Sequence, residues 1–372
     1  MTTARREIIT WLGVGSVAWG GGFFWQYVHA PSAAWCWLSL SGGGMAYLTF
    51  YTWQHLGENR PTPEAPLYPT LGPANTLTLL RGVAVALMLG FFCPHIAAGW
   101  GPGLLYTYVA LSDWWDGLLA RLSGRPSLLG QRLDMLVDGV GVLAASALAV
   151  ALGRLPWWYL SVGLARYAFL GWEALLSARG RAPRSLSPDP QRRANAGLMM
   201  GFLAVALWPL FSSRALALVG IWFLILFLAL FLRDAAWEAG LDAFLFLPAV
   251  GAGKPYRGGP RAAFRWLATL AFLVALQHPG AASPIRWGGS VLVALLALGI
   301  LPRLAALGGL FALGIAWTAG FPQGGVGVLA AAALTAVAFY GGGAACLWAP
   351  EDRIFLAHVG APAPTTPVRA TD

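Results

Sequence analysis

Charge is scarce in this chain. Only 10% of its 372 residues are charged, while 58% are hydrophobic and mean hydropathy is +0.64. A soluble globular domain carries about 25% charged residues, so that class is excluded and a bilayer is implied. Cysteine is scarcer still: Cys36, Cys93 and Cys346 stand at no metal or redox spacing and read as apolar packing. The five histidines, His29, His55, His95, His278 and His358, show no paired spacing and read as loop or interface residues rather than ligands. Glycine triplets at Gly20–Gly22, Gly42–Gly44 and Gly341–Gly343 lie between no strand and helix, so they point to close helix packing rather than a phosphate loop.

What is abundant is apolar sequence in long runs. A spanning helix needs about 20 such residues, and about twelve candidates follow, centred near residues 18, 44, 88, 111, 142, 166, 204, 224, 273, 293, 312 and 337. The net charge of +9 is a matter of topology rather than of nucleic-acid binding, because the basic residues fall in alternate loops. Arg5, Arg60, Arg121, Arg181, Lys254 and Arg303 share one side with most of the others, whereas Arg154, Arg214 and Arg286 occupy the opposite loops. By the positive-inside rule both termini are cytoplasmic. The first run, Ile8 to Val28, follows Arg5 and Arg6 and exceeds the 7 to 15 residues or so of a signal-peptide core, so a retained helix is expected.

The expected architecture is an all-α polytopic membrane protein. Residues 1–68 form two helices and a linker rich in proline (Pro61, Pro63, Pro66). A six-helix core at 69–235 holds the intramembrane charges, 236–262 is a cytoplasmic connection, 263–349 is a domain of about four helices, and 350–372 is a Pro/Ala/Thr tail.

Of the 15 acidic residues, four crowd between Asp113 and Asp138. Ionisable groups at membrane depth are costly and mark a functional site by default. Asp113 with Asp116 and Asp134 with Asp138 are i,i+3 and i,i+4 pairs, so each pair projects from one face of its helix. The polar stretch Arg121–Ser127 predicts two antiparallel neighbouring helices that bring the pairs together at the cytoplasmic end. Four crowded carboxylates repel one another, and a divalent cation resolves the conflict. Magnesium suits oxygen ligands and keeps positions open for phosphates, and two ions on a diphosphate would favour in-line displacement at phosphorus. Gly117, Ala120 and Gly130 leave room for a bulky ligand beside the backbone.

The segment Asp113 to Asp138 resembles the signature of the CDP-alcohol phosphotransferases, D-x2-D-G-x2-A-R-x8-G-x3-D-x3-D, with all eight fixed positions filled. Chance would produce this on the order of once in 10¹⁰ starting points. Upstream, Asn75, Thr78 and Arg81 in ANTLTLLR resemble the N-x2-T-x2-R that opens the family's first core helix. The resemblance implies that Asp113, Asp116 and Asp134 hold Mg²⁺ or Mn²⁺, as two ions, and that Asp138, a further residue of the metal set, takes the acceptor proton. It implies that Gly117, Ala120, Arg121 and Gly130 surround the CDP moiety. It also implies a CDP-alcohol donor such as CDP-diacylglycerol, an alcohol or polyol-phosphate acceptor, and a homodimer in the inner membrane with a cytoplasmic active site.

Other features are less specific. Arg132, Arg166 and Arg193 are candidates for an acceptor phosphate, with pairing to the aspartates, or topological charge for Arg193, as the alternatives. Gly139 stands where several members using phosphorylated acceptors have a basic residue. Trp157, Trp158 and Tyr159 read as an interfacial aromatic belt. The last four helices, with VALLALGILPRLAALGGLFALGIAW and CLWAPEDR, resemble the small DoxX-like membrane family. The expected function is metal-dependent transfer of a substituted phosphate from a CDP-alcohol with release of CMP, in phospholipid biosynthesis. The competing expectation is a cation-coupled transporter, which would place its acids near mid-membrane.

Overall fold

Each apolar run becomes a helix, and proline and glycine set where each begins and ends. The computed structural model describes residues 3–123, 125–182, 184, 190–241, 259–277, 283–319, 324–343 and 346–351, with some side chains inside these ranges excepted. They hold twelve α-helices: α1 (Thr3–His29), α2 (Pro31–Gln54), α3 (Gly72–Leu89), α4 (Gly101–Ser123), α5 (Leu128–Ala151), α6 (Leu160–Ala178), α7 (Pro190–Leu207), α8 (Ser213–Glu238), α9 (Gly259–Leu276), α10 (Ser283–Leu298), α11 (Pro302–Thr318) and α12 (Gly325–Tyr340). Helices α3–α8 match the expected six and α9–α12 the expected four. Arg6–His29, Gly72–Phe92, Leu128–Ala151 and Ser213–Glu238 are long and apolar enough to cross a membrane. The protein is an all-α polytopic membrane protein. No strand occurs among the described residues, whose only β pairing is an isolated bridge between Ile300 and Trp348.

The chain divides into two compact units, Met1–Ala168 with Met200–Ser213, and Phe169–Met199 with Arg214–Asp372. In the first unit α3 is the central element, packing on α2, α4 and α5, while α4 and α5 meet only marginally. The expected pairing of α4 with α5 as close neighbours is therefore corrected: α3 lies between them along most of their length. Small residues permit its close approach. A Cβ at Gly82 would lie 2.8 Å from Leu48 and 3.2 Å from Val137, and one at Gly44 3.0 Å from the Ala86 Cβ. The connection between α4 and α5 is also shorter than expected, because α4 runs on to Ser123. Pro126 disfavours helix in the residue before it, and Ser127 then caps α5 by accepting from Gly130 N at 3.0 Å.

At the entry to α3, Leu71 N donates to the Glu7 carboxylate of α1 at 2.7 Å, and Ala4 N donates to Pro69 O at 3.0 Å. These bonds fasten the amino-terminal helix to the start of the core. At the other end of α3, Cys93 forms a disulfide with Cys36 of α2, with the Cα atoms 5.9 Å apart. The reading of these two cysteines as mere packing is thus corrected: their 57-residue separation carries no signal until α2 and α3 pack antiparallel. Near that end Arg154 caps α7, donating to the carbonyls of Ala206, Trp208 and Phe211. Burial lowers the Arg154 pKa, and the helix C-terminus is a favourable place for its charge. Of the expected aromatic belt, Trp157 is 76% exposed, whereas Tyr159 is buried against Phe202 with ring centroids 5.5 Å apart.

In the second unit α9, α10, α11 and α12 pack together. Helix α8 joins them through Phe223 against Phe339, and through Gly314 of α11, where a Cβ would lie 2.9 Å from Val219. Arg303 is 3% exposed and donates to Ala338 O at 2.9 Å and Phe339 O at 2.8 Å, capping α12, while its amide donates to Glu351. Arg265 is fully buried and donates to Cys346 Sγ at 3.1 Å.

Candidate active site

Asp113 on α4 and Asp134 and Asp138 on α5 converge, each offering an oxygen within 4.8 Å of the others. They meet on α3, where Arg81, fully buried, reaches all three. Its Nη1 donates to Asp113 Oδ1 at 2.7 Å; its Nη2 pairs with Asp134 and lies 3.0 Å from Asp138 Oδ1. The carboxylate side chains remain 40%, 44% and 33% exposed, so the cluster is floored by arginine and open on the other side.

Charge balance decides what this cluster can hold. Three carboxylates face one guanidinium, an excess of acidic groups over basic ones that favours negative charges in a setting where unpaired charge is costly. A divalent cation on the open side would neutralise them, and the hard carboxylate oxygens fit Mg²⁺ or Mn²⁺. The side chains of Asp116, Gly117, Ala120, Arg121 and Arg193, also expected in the site, lie outside the described residues.

A polar network ties the start of α5 to the start of α3 and the linker before it. Asn75 Nδ2 donates to Ser127 Oγ at 3.0 Å and to Asn59 Oδ1 at 3.2 Å, and Asn59 donates to Thr70 O at 2.8 Å. Gly130 sits against this network: a Cβ there would collide with Asn75 Oδ1 and lie 3.1 Å from Ser127 Oγ. Gly130 is thus needed for packing as well as for any ligand. Sequence reasoning missed Asn59 and Ser127, although a serine just after Pro126 and before an apolar run is a helix-start signal. It likewise gave Arg81 no place among the acids, because nothing in a helical spacing links α3 to α4 and α5.

The candidate arginines separate. Arg132 pairs with Glu58 of the linker rather than with the aspartates. Arg192, beside Arg193 in the chain, pairs with Asp234 at 2.8 Å, and Arg233 pairs with the same carboxylate at 2.9 Å. Arg166 of α6 lies beside Gly139, where a Cβ would be 3.0 Å from its Cδ and 3.1 Å from its Nε, and its charge acts on Asp138. The missing side chain at Gly139 makes room for a basic group that arrives from another helix.

These features agree with the comparisons to known proteins. Residues 72–233 match the family model described as CDP-alcohol phosphatidyltransferase. A putative cardiolipin synthase of Mycobacterium tuberculosis (strain H37Rv) is 32% identical over 147 residues, covering 38% of this chain and 69% of the relative; one from Mycobacterium bovis matches to the same extent. A CDP-diacylglycerol–glycerol-3-phosphate 3-phosphatidyltransferase of Yersinia pestis (strain Pestoides F) is 29% identical over 135 residues, covering 34% of this chain and 74% of the relative. No solved structure matches the chain. The chain belongs to the CDP-alcohol phosphatidyltransferase family. It is a membrane transferase of phospholipid biosynthesis. The match ends at residue 233, so α9–α12 lie beyond it, as do α1 and α2.

Proposed function

We propose that this enzyme transfers a phosphatidyl group from CDP-diacylglycerol to the hydroxyl of a phosphorylated polyol, releasing CMP. The observation that carries the reading is the convergence of Asp113, Asp134 and Asp138 on Arg81, open on one side and short of positive charge. Asp113, Asp116 and Asp134 would hold two Mg²⁺ or Mn²⁺ ions, which would supply positive charge to neutralise the diphosphate and favour displacement at phosphorus. Asp138 accepts the proton of the acceptor hydroxyl, whose oxygen then bonds to the phosphorus distal to cytidine as the bond to CMP breaks. Gly117, Ala120, Arg121 and Gly130 border the CDP moiety.

Arg166 against Gly139, the residue that follows Asp138, supports a phosphorylated acceptor, since a guanidinium offers phosphate a forked pair of donors. Arg132 and Arg193 are further candidates for the same phosphate. The core and its flanking helices form the domains delimited above, and a homodimer forms through the six-helix block. The aspartate end faces the cytoplasm of a cell whose inner membrane holds the protein. Two independent observations support this orientation: arginines gather at that end, and the Cys36–Cys93 disulfide lies at the opposite end of α3, as an oxidising compartment requires.

The test is to give purified protein CDP-diacylglycerol and Mg²⁺ with glycerol 3-phosphate, serine, inositol or inositol phosphate, the first because of the relative named as a glycerol-3-phosphate 3-phosphatidyltransferase. Lipid products and nucleotide are identified by mass spectrometry. The expected result is CMP in stoichiometry with a phosphorylated lipid product. Release of CDP, or full turnover in excess EDTA, would overturn the reaction and its metal requirement respectively. Cross-linking in mild detergent tests the dimer, which a uniformly monomeric protein would rule out.

A further inference from the structure

Tyr106 of α4 is fully buried, yet its hydroxyl has no hydrogen-bond partner among the described residues. Neighbouring hydroxyls of the same helix are satisfied. Thr107 donates to Gly103 O at 2.7 Å and accepts from Trp208 Nε1 at 2.9 Å, and Ser112 donates to Val109 O at 3.1 Å. A buried polar group without a partner is costly, and phenylalanine would fill the same space without that cost. The placement of Tyr106 gives the hydroxyl a use. It lies two helical turns before Asp113 on the same face, and the charges that act on it are those of Asp138, Asp113 and Arg81.

Asp138 presents the complementary group. Its Oδ1 is buried and lacks a hydrogen bond, although it stands 3.0 Å from Arg81 Nη2 in an ion pair. The side chain as a whole is 33% exposed, so Oδ2 is the oxygen that opens toward the cleft. Arg81 is shared among three carboxylates and cannot by itself set the rotation of this one. A buried donor and a buried acceptor, each lacking a hydrogen bond, therefore lie within electrostatic reach of each other at the floor of the cluster.

We propose that Tyr106 is a positioning residue for the transfer reaction: its hydroxyl donates through one bridging water to Asp138 Oδ1, and so turns Oδ2 toward the acceptor hydroxyl. The inference rests on Asp138 acting as the base. Tyr106 touches neither donor nor metal; it acts through the orientation of Asp138, and orientation of a base is worth a substantial part of its contribution to rate.

Tyr106→Phe keeps the ring and removes only the hydroxyl. Expected is a fall in kcat of about tenfold, with donor and acceptor KM and CDP affinity in the presence of Mg²⁺ within about twofold of the parent protein. Because the hydroxyl works only through Asp138, the double variant Tyr106→Phe with Asp138→Asn should turn over no more slowly than Asp138→Asn alone. Unchanged kcat in Tyr106→Phe overturns the proposal, as does a multiplicative loss in the double variant or the loss of CDP binding in the single one, which would make Tyr106 structural. Full turnover in Asp138→Asn instead removes the base assignment itself. That outcome is distinct from a slow Asp138→Asn beside an unimpaired Tyr106→Phe, where only the role of Tyr106 fails.

Discussion

Arg81 and Arg303 are both buried in helices made mostly of apolar residues, at 0% and 3% exposure, but their charges are answered in different ways. Arg303, in the carboxyl-terminal unit, spends its donors on the carbonyls at the end of α12, and its amide rests on Glu351. Arg81 faces Asp113, Asp134 and Asp138, which outnumber it. A guanidinium held by carbonyl oxygens completes a fold. One surrounded by an excess of carboxylates on an open cleft leaves negative charge that a bound cation can balance. The difference teaches that the surplus of acid, and not the buried cation, marks the site.

The largest effect should come from reducing that surplus. Asp113→Asn removes one charge where a cation is to be held, and metal-ion catalysis is worth several kcal/mol, so turnover should fall by about 10³ or more. Mg²⁺ titrations of activity and of CDP binding check it, and an unaltered Mg²⁺ dependence would contradict the assignment. A second substitution asks whether the network behind the acids matters. Gly130→Ala drives a methyl into Asn75 Oδ1, so either Asn75 leaves Ser127 or the start of α5 shifts. Steric insertion of this kind costs about 1 to 3 kcal/mol, and thermal unfolding together with donor KM would register it.

Arg303→Met tests the other side of the comparison. It strips the α12 carbonyls of their donor and should destabilise the protein by about 1 to 3 kcal/mol, seen as a lower thermal midpoint in detergent, with kcat unchanged. A drop in kcat at full stability would mean that the carboxyl-terminal unit participates in the chemistry. The smallest structural effect is expected of Arg132→Ala. Its pair with Glu58 is half exposed, and such surface pairs contribute about 0 to 1 kcal/mol. A rise in acceptor KM with donor KM unaltered would place Arg132 at the acceptor phosphate; no change in either would leave it as a brace for the linker.

Much of this was readable before any coordinates. Asp113, Asp134 and Asp138 were identified by helical spacing alone, because i,i+4 and the rarity of acids in apolar helices are local properties. The twelve helices were readable for the same reason, since a run of apolar residues needs no partner to be recognised. Arg132 and Arg166 look alike in the sequence and prove unlike: one is held by Glu58 and the other lies against Gly139. Charge pairing across helices has no linear signature, so such residues cannot be sorted by pattern.

The sequence by itself determined that this is a polytopic helical membrane protein and which segment resembles the signature of its family. These conclusions follow from composition, periodicity and fixed spacing, all of which survive any arrangement of the helices. Only the tertiary structure decided that α3 separates α4 from α5, that Arg81 sits among the acids, that Cys36 and Cys93 are bonded, and that the buried Tyr106 hydroxyl has no hydrogen-bond partner among the described residues. Each depends on which faces of separate helices meet, and that is settled by the packing of small residues such as Gly82, whose role a linear pattern does not reveal.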